Sequence, residues 1–105
     1  MAVFNGVAYL AGQVANDLSQ DIGGQMREVL SMIDALLAQA NTDKSRILMA
    51  SIYLADLADY AAMNVVWDAW VASIQGHAPP RATVQAKLAN PQYKVEVVIT
   101  AAQID

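Results

Sequence analysis

The 105-residue chain contains no cysteine, which excludes disulfides and thiolate metal sites together. Its one histidine, His77, has no second imidazole or thiol with which to complete a ligand set, so His77 reads as a solvated loop residue and no metal is expected. Charge is scarce as well. Charged residues make up 15% of the chain and hydrophobic ones 56%, more apolar than a small soluble monomer needs to cover its surface, and self-association is the simplest reconciliation. No run of about 18 apolar residues is free of Asp, Arg, Asn or Gln, so a membrane span is not expected. Lys and Arg form no cluster and the net charge is -4, which argues against a nucleic-acid backbone as the partner and against ribonuclease chemistry. Without a signal-peptide pattern, the expected location is cytoplasmic. Gly23-Gly24 is not followed by Gly-Lys-Ser/Thr, so a phosphate loop is not supported.

What is present reads as one domain over residues 1-105. Asn5-Gly6, between apolar arms running from Val3 to Leu10, predicts a hairpin with a type I′ turn, its second arm continuing to about Val14. From Asp21, the residues Ile22, Met26, Val29, Leu30, Ile33, Leu37 and Ala40 recur at helical spacing, and Asn41 to Asp43 ends that helix. Ile47 to Leu54 is too short for a core helix and reads as a buried strand. Asp56 is placed to cap a second helix, with Asp59 in its first turn and its end near Val71. Gly76 and Pro79-Pro80 lead out of it. Two last strands, about Arg81 to Leu88 and Tyr93 to Ala101, are joined by Asn90-Pro91 turn chemistry. The order ββαβαββ predicts an α+β fold, two helices on one face of a mainly antiparallel or mixed sheet.

Within the last strands, Arg81 stands at the head of one and Glu96 lies among valines in the other. A carboxylate there must find a partner, because an unpaired buried charge costs several kcal/mol. Period-2 alternation assigns Ala82, Val84, Ala86 and Leu88 to the helix face and Arg81, Thr83 and Gln85 to the other. In the final strand it sets Val95, Val97, Ile99 and Ala101 against Glu96, Val98 and Thr100. Tyr9, Ala11 and Gln13 join the mixed polar-apolar face, which reads as a subunit interface containing pockets. If Leu88 pairs with Tyr93, Gln85 falls opposite Glu96 and Thr100 opposite Arg81. Arg81 and Glu96 of one chain then lie four residues, about 13 Å, apart along the sheet, too far to clamp one small molecule.

Leu10-Ala11-Gly12-Gln13-Val14, Ile52-Tyr53-Leu54-Ala55-Asp56 with Asp59-Tyr60 and Asn64, and Arg81-Ala82-Thr83-Val84 with Glu96 fifteen residues on together resemble the RidA/YjgF family of reactive-intermediate deaminases. The likeness spans nearly the whole chain, and the Arg-to-Glu interval is its most specific part. The resemblance implies a chorismate-mutase-like fold, a homotrimer and clefts between subunits that hydrolyse 2-imino acids, in equilibrium with their enamines, to 2-oxo acids and ammonia. No cofactor is implied.

In that setting Arg81 grips the substrate carboxylate bidentately, and Glu96 aligns water on the imine carbon and supplies a proton to the departing amine. The resemblance further implies ligand contacts from the Thr83 backbone, the Asn64 amide and the Ala11-Gly12 backbone. Three departures stand out: Thr83 where the family often has Cys, Ala11 where it often has Ser, and fewer residues before Phe4 than the family's usual N-terminal segment with its pocket aromatic. Two other readings stay open. Arg81 and Glu96 form a structural ion pair, or the protein is a non-catalytic trimer that binds small carboxylate metabolites. Tyr60, Met63, Trp67 and Trp70 recur at helical spacing and read as packing residues.

Overall fold

Asn5 and Gly6 both take positive φ, 50° and 76°, as a two-residue type I′ turn requires, and join β1 (Ala2–Phe4) to β2 (Val7–Tyr9) with Phe4 opposite Val7. The architecture is that of a computed structural model, which describes residues 1-75 and 78-104. The expectations for Gly76 and His77 lie outside the described residues.

α1 (Ile22–Gln39) begins at Asp21, whose carboxylate accepts from the Gly24 N–H at 2.8 Å. Ile22, Met26, Val29, Leu30, Ile33 and Leu37 form its buried stripe, as their spacing predicts. At its end Asn41 adopts φ 57°; the Asn41 N–H reaches Ala38 O and the Thr42 N–H reaches Leu37 O. That pair of reversed bonds closes the helix with Asn in the place more often held by Gly. A short 3-10 turn (Lys44–Arg46), not anticipated from the sequence, leads into β3 (Ile47–Leu54), which has the predicted bounds. Asp56 caps a 3-10 turn (Leu57–Asp59) rather than the α-helix itself, and α2 (Tyr60–Val71) follows and ends where expected.

β4 (Arg81–Gln85) and β5 (Val95–Ala102) complete a five-stranded mixed sheet of order β1-β2-β5-β3-β4, in which only β3 and β4 run parallel. The predicted pairing of the last two strands is therefore wrong. The turn at Asn90-Pro91 forms, with the Tyr93 N–H on Asn90 O and the Gln92 N–H on Asn90 Oδ1, but β3 lies between the strands it connects. A parallel β3-α2-β4 crossover takes one edge of β3, and β5 takes the other.

The faces follow from the register. Val95, Val97, Ile99 and Ala101 of β5 and Ala50, Ile52 and Leu54 of β3 are fully buried beneath the helices, in one core with Met26, Ile33, Leu37, Met63 and Trp67. Ala50 pairs with Arg81, Ile52 with Thr83 and Leu54 with Gln85, so these β4 residues share the helix face. Ala82 and Val84 stand on the open face, Val84 48% exposed, and Ala86 and Leu88 lie beyond the strand. This reverses the predicted assignment for β4. Hydrophobicity did not choose the inner face of this edge strand because α2 offers it polar and aromatic partners. A second correction concerns Gln13. Leu10 N–H reaches Ile99 O and Gln13 exchanges backbone bonds with Val97, so three steps on one segment match two on β5. The resulting bulge at Ala11-Gly12 moves Gln13 into the register of Val97, away from the face of Tyr9.

Candidate functional site

Tyr60, Asn64 and Trp67 occupy one side of α2 at i, i+4 and i+7, directly over the first residue of β4. Arg81 Nη1 donates to Asn64 Oδ1 at 2.7 Å and Nη2 donates to Tyr60 Oη at 3.0 Å. The guanidinium carbon lies 5.3 Å from the Trp67 ring centre and 5.7 Å from that of Tyr60, within range of cation-π attraction. Trp67 is itself only 4% exposed and belongs to the core, so the floor beneath the guanidinium is rigid. Gln85 helps to set the height of α2, its Oε1 accepting from the Leu57 N–H at 2.9 Å.

Both hydrogen-bond acceptors of Arg81 are neutral, so these contacts orient its charge without cancelling it. Five N–H donors less these two leaves three for an incoming anion. Thr83, two residues on and on the same face, has a buried hydroxyl oxygen with no hydrogen-bond partner. Such a group ordinarily costs about 1 to 3 kcal/mol, which makes it a candidate for satisfaction by a ligand.

Glu96 belongs to a different place. It pairs with Tyr53 on the open face of the sheet, against the Ala11-Gly12 bulge. A Cβ on Gly12 would stand 1.9 Å from Glu96 Oε2 and 2.8 Å from its Cδ, so only glycine lets the carboxylate lie where it does. Ala11 is exposed, its carbonyl accepting from Gln13 Nε2 at 2.9 Å.

Through Ala50, Arg81 is level with Ile99; through Tyr53, Glu96 is level with Val84. Arg81 and Glu96 are thus three residues apart along the sheet, two strands apart across it, and on opposite faces. At about 3.3 Å per residue and 4.8 Å per strand their backbones are about 14 Å apart. The predicted opposition of Gln85 and Glu96 gives way to Tyr53 and Glu96, and a same-chain Arg81-Glu96 ion pair is ruled out by this placement. The residues singled out in the sequence form two half-sites, Arg81 with Asn64 and Thr83, and Glu96 with Gly12 and Ala11.

Grooves of about 440 Å3 between the helices, against Asp34, Val65 and Trp70, and about 660 Å3 beside Gln85, Lys87 and Tyr93 include neither Arg81 nor Glu96. Among the described residues no group of three or more Asp, Glu or His is gathered as a metal would require. Two members of the Arg81 half-site, Tyr60 and Trp67, read as packing residues in the sequence. Their signal was the shared i, i+4, i+7 side with Asn64, which becomes informative only once β4 is known to run beneath that side.

Residues 1-103 match the protein family described as Endoribonuclease L-PSP. The chain is 60% identical over 102 residues to a RutC family protein of Haemophilus ducreyi, covering 97% of this chain and 86% of that one. It is 49% identical to the RutC family protein YoaB of Escherichia coli, again over 102 residues, with 97% and 87% covered. Among solved structures, a member of the YjgF protein family from Neisseria meningitidis superimposes with a TM-score of 0.90 at 46% identity, covering 96% of this chain and 82% of that one. The fold is accordingly the chorismate-mutase-like one of these relatives. With the sequence match and the superposition in agreement, the chain belongs to the RidA/YjgF family, also called the RutC family.

Proposed function

We propose that this protein hydrolyses 2-imino acids and their enamine tautomers to 2-oxo acids and ammonia, in clefts between the subunits of a homotrimer. The observation that carries the reading is the state of Arg81, a guanidinium fixed by two neutral oxygens and two aromatic rings with its charge unspent. A structural arginine ordinarily spends its charge on a carboxylate of its own chain; this one is oriented for a carboxylate from outside.

Anchored by that group, the imine carbon is attacked by water. One water proton passes through a base to nitrogen to give a carbinolamine, whose hydroxyl then gives up the second proton as nitrogen takes it; the C–N bond breaks, and the products are a 2-oxo acid and ammonia. Glu96 is the group for both transfers, taking a proton first from water and then from the carbinolamine hydroxyl and passing each to nitrogen. Because Glu96 lies on the other face and about 14 Å from Arg81 of its own chain, the working pair comes from two subunits. The open sheet face supports such an assembly, with Tyr9 and Val84 48% and Met49 40% exposed on it and no cover among the described residues. The Thr83 backbone, Asn64 amide and Ala11-Gly12 backbone line the same cleft.

The net charge of -4 argues against the endoribonuclease activity named in the family description. The test is to generate 2-imino acids in solution with an amino-acid oxidase and follow loss of the imine with and without this protein. Acceleration is expected, and its loss in Arg81→Ala. Binding of small carboxylates without acceleration would instead favour a non-catalytic binder.

A further inference from the structure

We infer that the Tyr60 hydroxyl is a second donor to the bound carboxylate, so that Tyr60 and Arg81 together form one anion subsite between α2 and β4. The inference rests on the reading of Arg81 as the anchor and adds a residue to it. A phenol has one proton and can also accept. Here the Tyr60 oxygen accepts from Arg81 Nη2 at 3.0 Å, so the phenolic proton is turned away from the guanidinium. Among the described residues that proton has no acceptor. Tyr60 is 43% exposed and its bond to Arg81 lies open to solvent, so an anion can reach both groups there.

The neighbouring groups divide the work between the two ends of the guanidinium fork. Asn64 presents its oxygen to Arg81 Nη1, which stops rotation of the guanidinium, and its Nδ2 donors belong to that side of the fork. Trp67 supplies the floor and has no contact to offer an anion from its ring face. At Nη2 it is Tyr60 that couples an oxygen already bonded to Arg81 with a proton still to donate. A carboxylate approaching the remaining Nη2 hydrogen meets the phenolic hydrogen beside it, and one carboxylate can accept both.

Tyr60→Phe keeps the ring and its cation-π contact and removes the hydroxyl, both its proton and the oxygen that accepts from Arg81 Nη2. Weaker binding is therefore assigned to Tyr60 as a donor only when a crystal structure of the complex places Oη within hydrogen-bonding distance of the carboxylate. Calorimetric titration of the intact protein with pyruvate, a small 2-oxo acid, should show binding about tenfold weaker in Tyr60→Phe, the loss expected for one hydrogen bond to a charged group, with no change in melting temperature. Arg81→Ala should show none. Equal pyruvate affinity in Tyr60→Phe and parent, with binding lost in Arg81→Ala, overturns the role of Tyr60 alone. A crystal structure of the pyruvate complex with Tyr60 Oη beyond hydrogen-bonding distance of the carboxylate does the same. No saturable binding by the parent overturns both Tyr60 and Arg81 as anion ligands. If the parent binds pyruvate through both residues but hydrolyses no imine, the deaminase reading fails and the Tyr60 assignment stands.

Discussion

At position 12 a single missing Cβ decides where a carboxylate can lie. Alanine there would meet Glu96 at its flexible end, so the carboxylate moves and the backbone stays. Gly12→Ala is therefore expected to change stability by less than about 0.5 kcal/mol while lowering imine hydrolysis about a hundredfold, the scale of effect that a misplacement of about 1 Å has on a reacting group. Thermal melting and the oxidase-coupled assay on one preparation check both halves, and full activity in a stable Gly12→Ala protein would remove Glu96 from the chemistry. Asp43 offers a contrast, because its chemistry is structural. The Ser45 hydroxyl, then the Ser45 N–H, hold its carboxyl below the ordinary carboxylate range. A lowered folded pKa means that the stabilisation is complete above the unfolded value, about 3.9, and is lost as pH falls through the lower folded one. Asp43→Asn should be modestly less stable than the parent at pH 7, and the gap in urea midpoint should close on acidification below that range. A gap unchanged at low pH would show that charge is not its cause.

At the scale of elements, the position of β5 depends on a buried side chain from α1. Gln25 is fully buried, accepts from the Lys94 N–H at 3.0 Å and donates to Gln92 O at 3.2 Å, which joins the first turns of α1 to the segment just before Glu96. Gln25→Leu fills the space but strands both backbone groups, and should cost about 2 kcal/mol in urea unfolding. Wild-type stability in that variant would mean that water replaces the amide. α1, β3 and the hairpin were legible in the sequence because each is fixed locally: Asp21 and Asn41 bracket one helical stripe, Ile47–Leu54 is one apolar run, and Asn5-Gly6 demands one turn. The inner face of β4 was not. An edge strand with Arg81, Thr83 and Gln85 on one side and Ala82 and Val84 on the other invites burial of the apolar set, and only the aromatic and amide groups of α2 make the polar set the inner one.

For the whole molecule the separation of Arg81 from Glu96 has a direct consequence. If the proposed shared cleft operates, Arg81→Ala and Glu96→Ala proteins should each be inactive, yet mixing them and allowing subunits to exchange should restore part of the activity, because some clefts then receive Arg81 from one chain and Glu96 from another. Absence of recovery after exchange has been verified, for example by mass spectrometry of differently labelled subunits, would rule out the shared cleft. Light scattering that shows a monomer at micromolar concentration would remove its basis. The sequence by itself determined the element order, the two ends of α1 and the two charged residues that stand out in the last strands, since these depend on spacing and local hydrogen bonding within a few residues. Tertiary structure decided that β3 divides β4 from β5, that Arg81 lies under α2, and that Glu96 faces the other way against Gly12. The physical reason is that strand order and edge-strand facing are settled by competition among distant partners, and alternation along one strand carries no record of which neighbour wins.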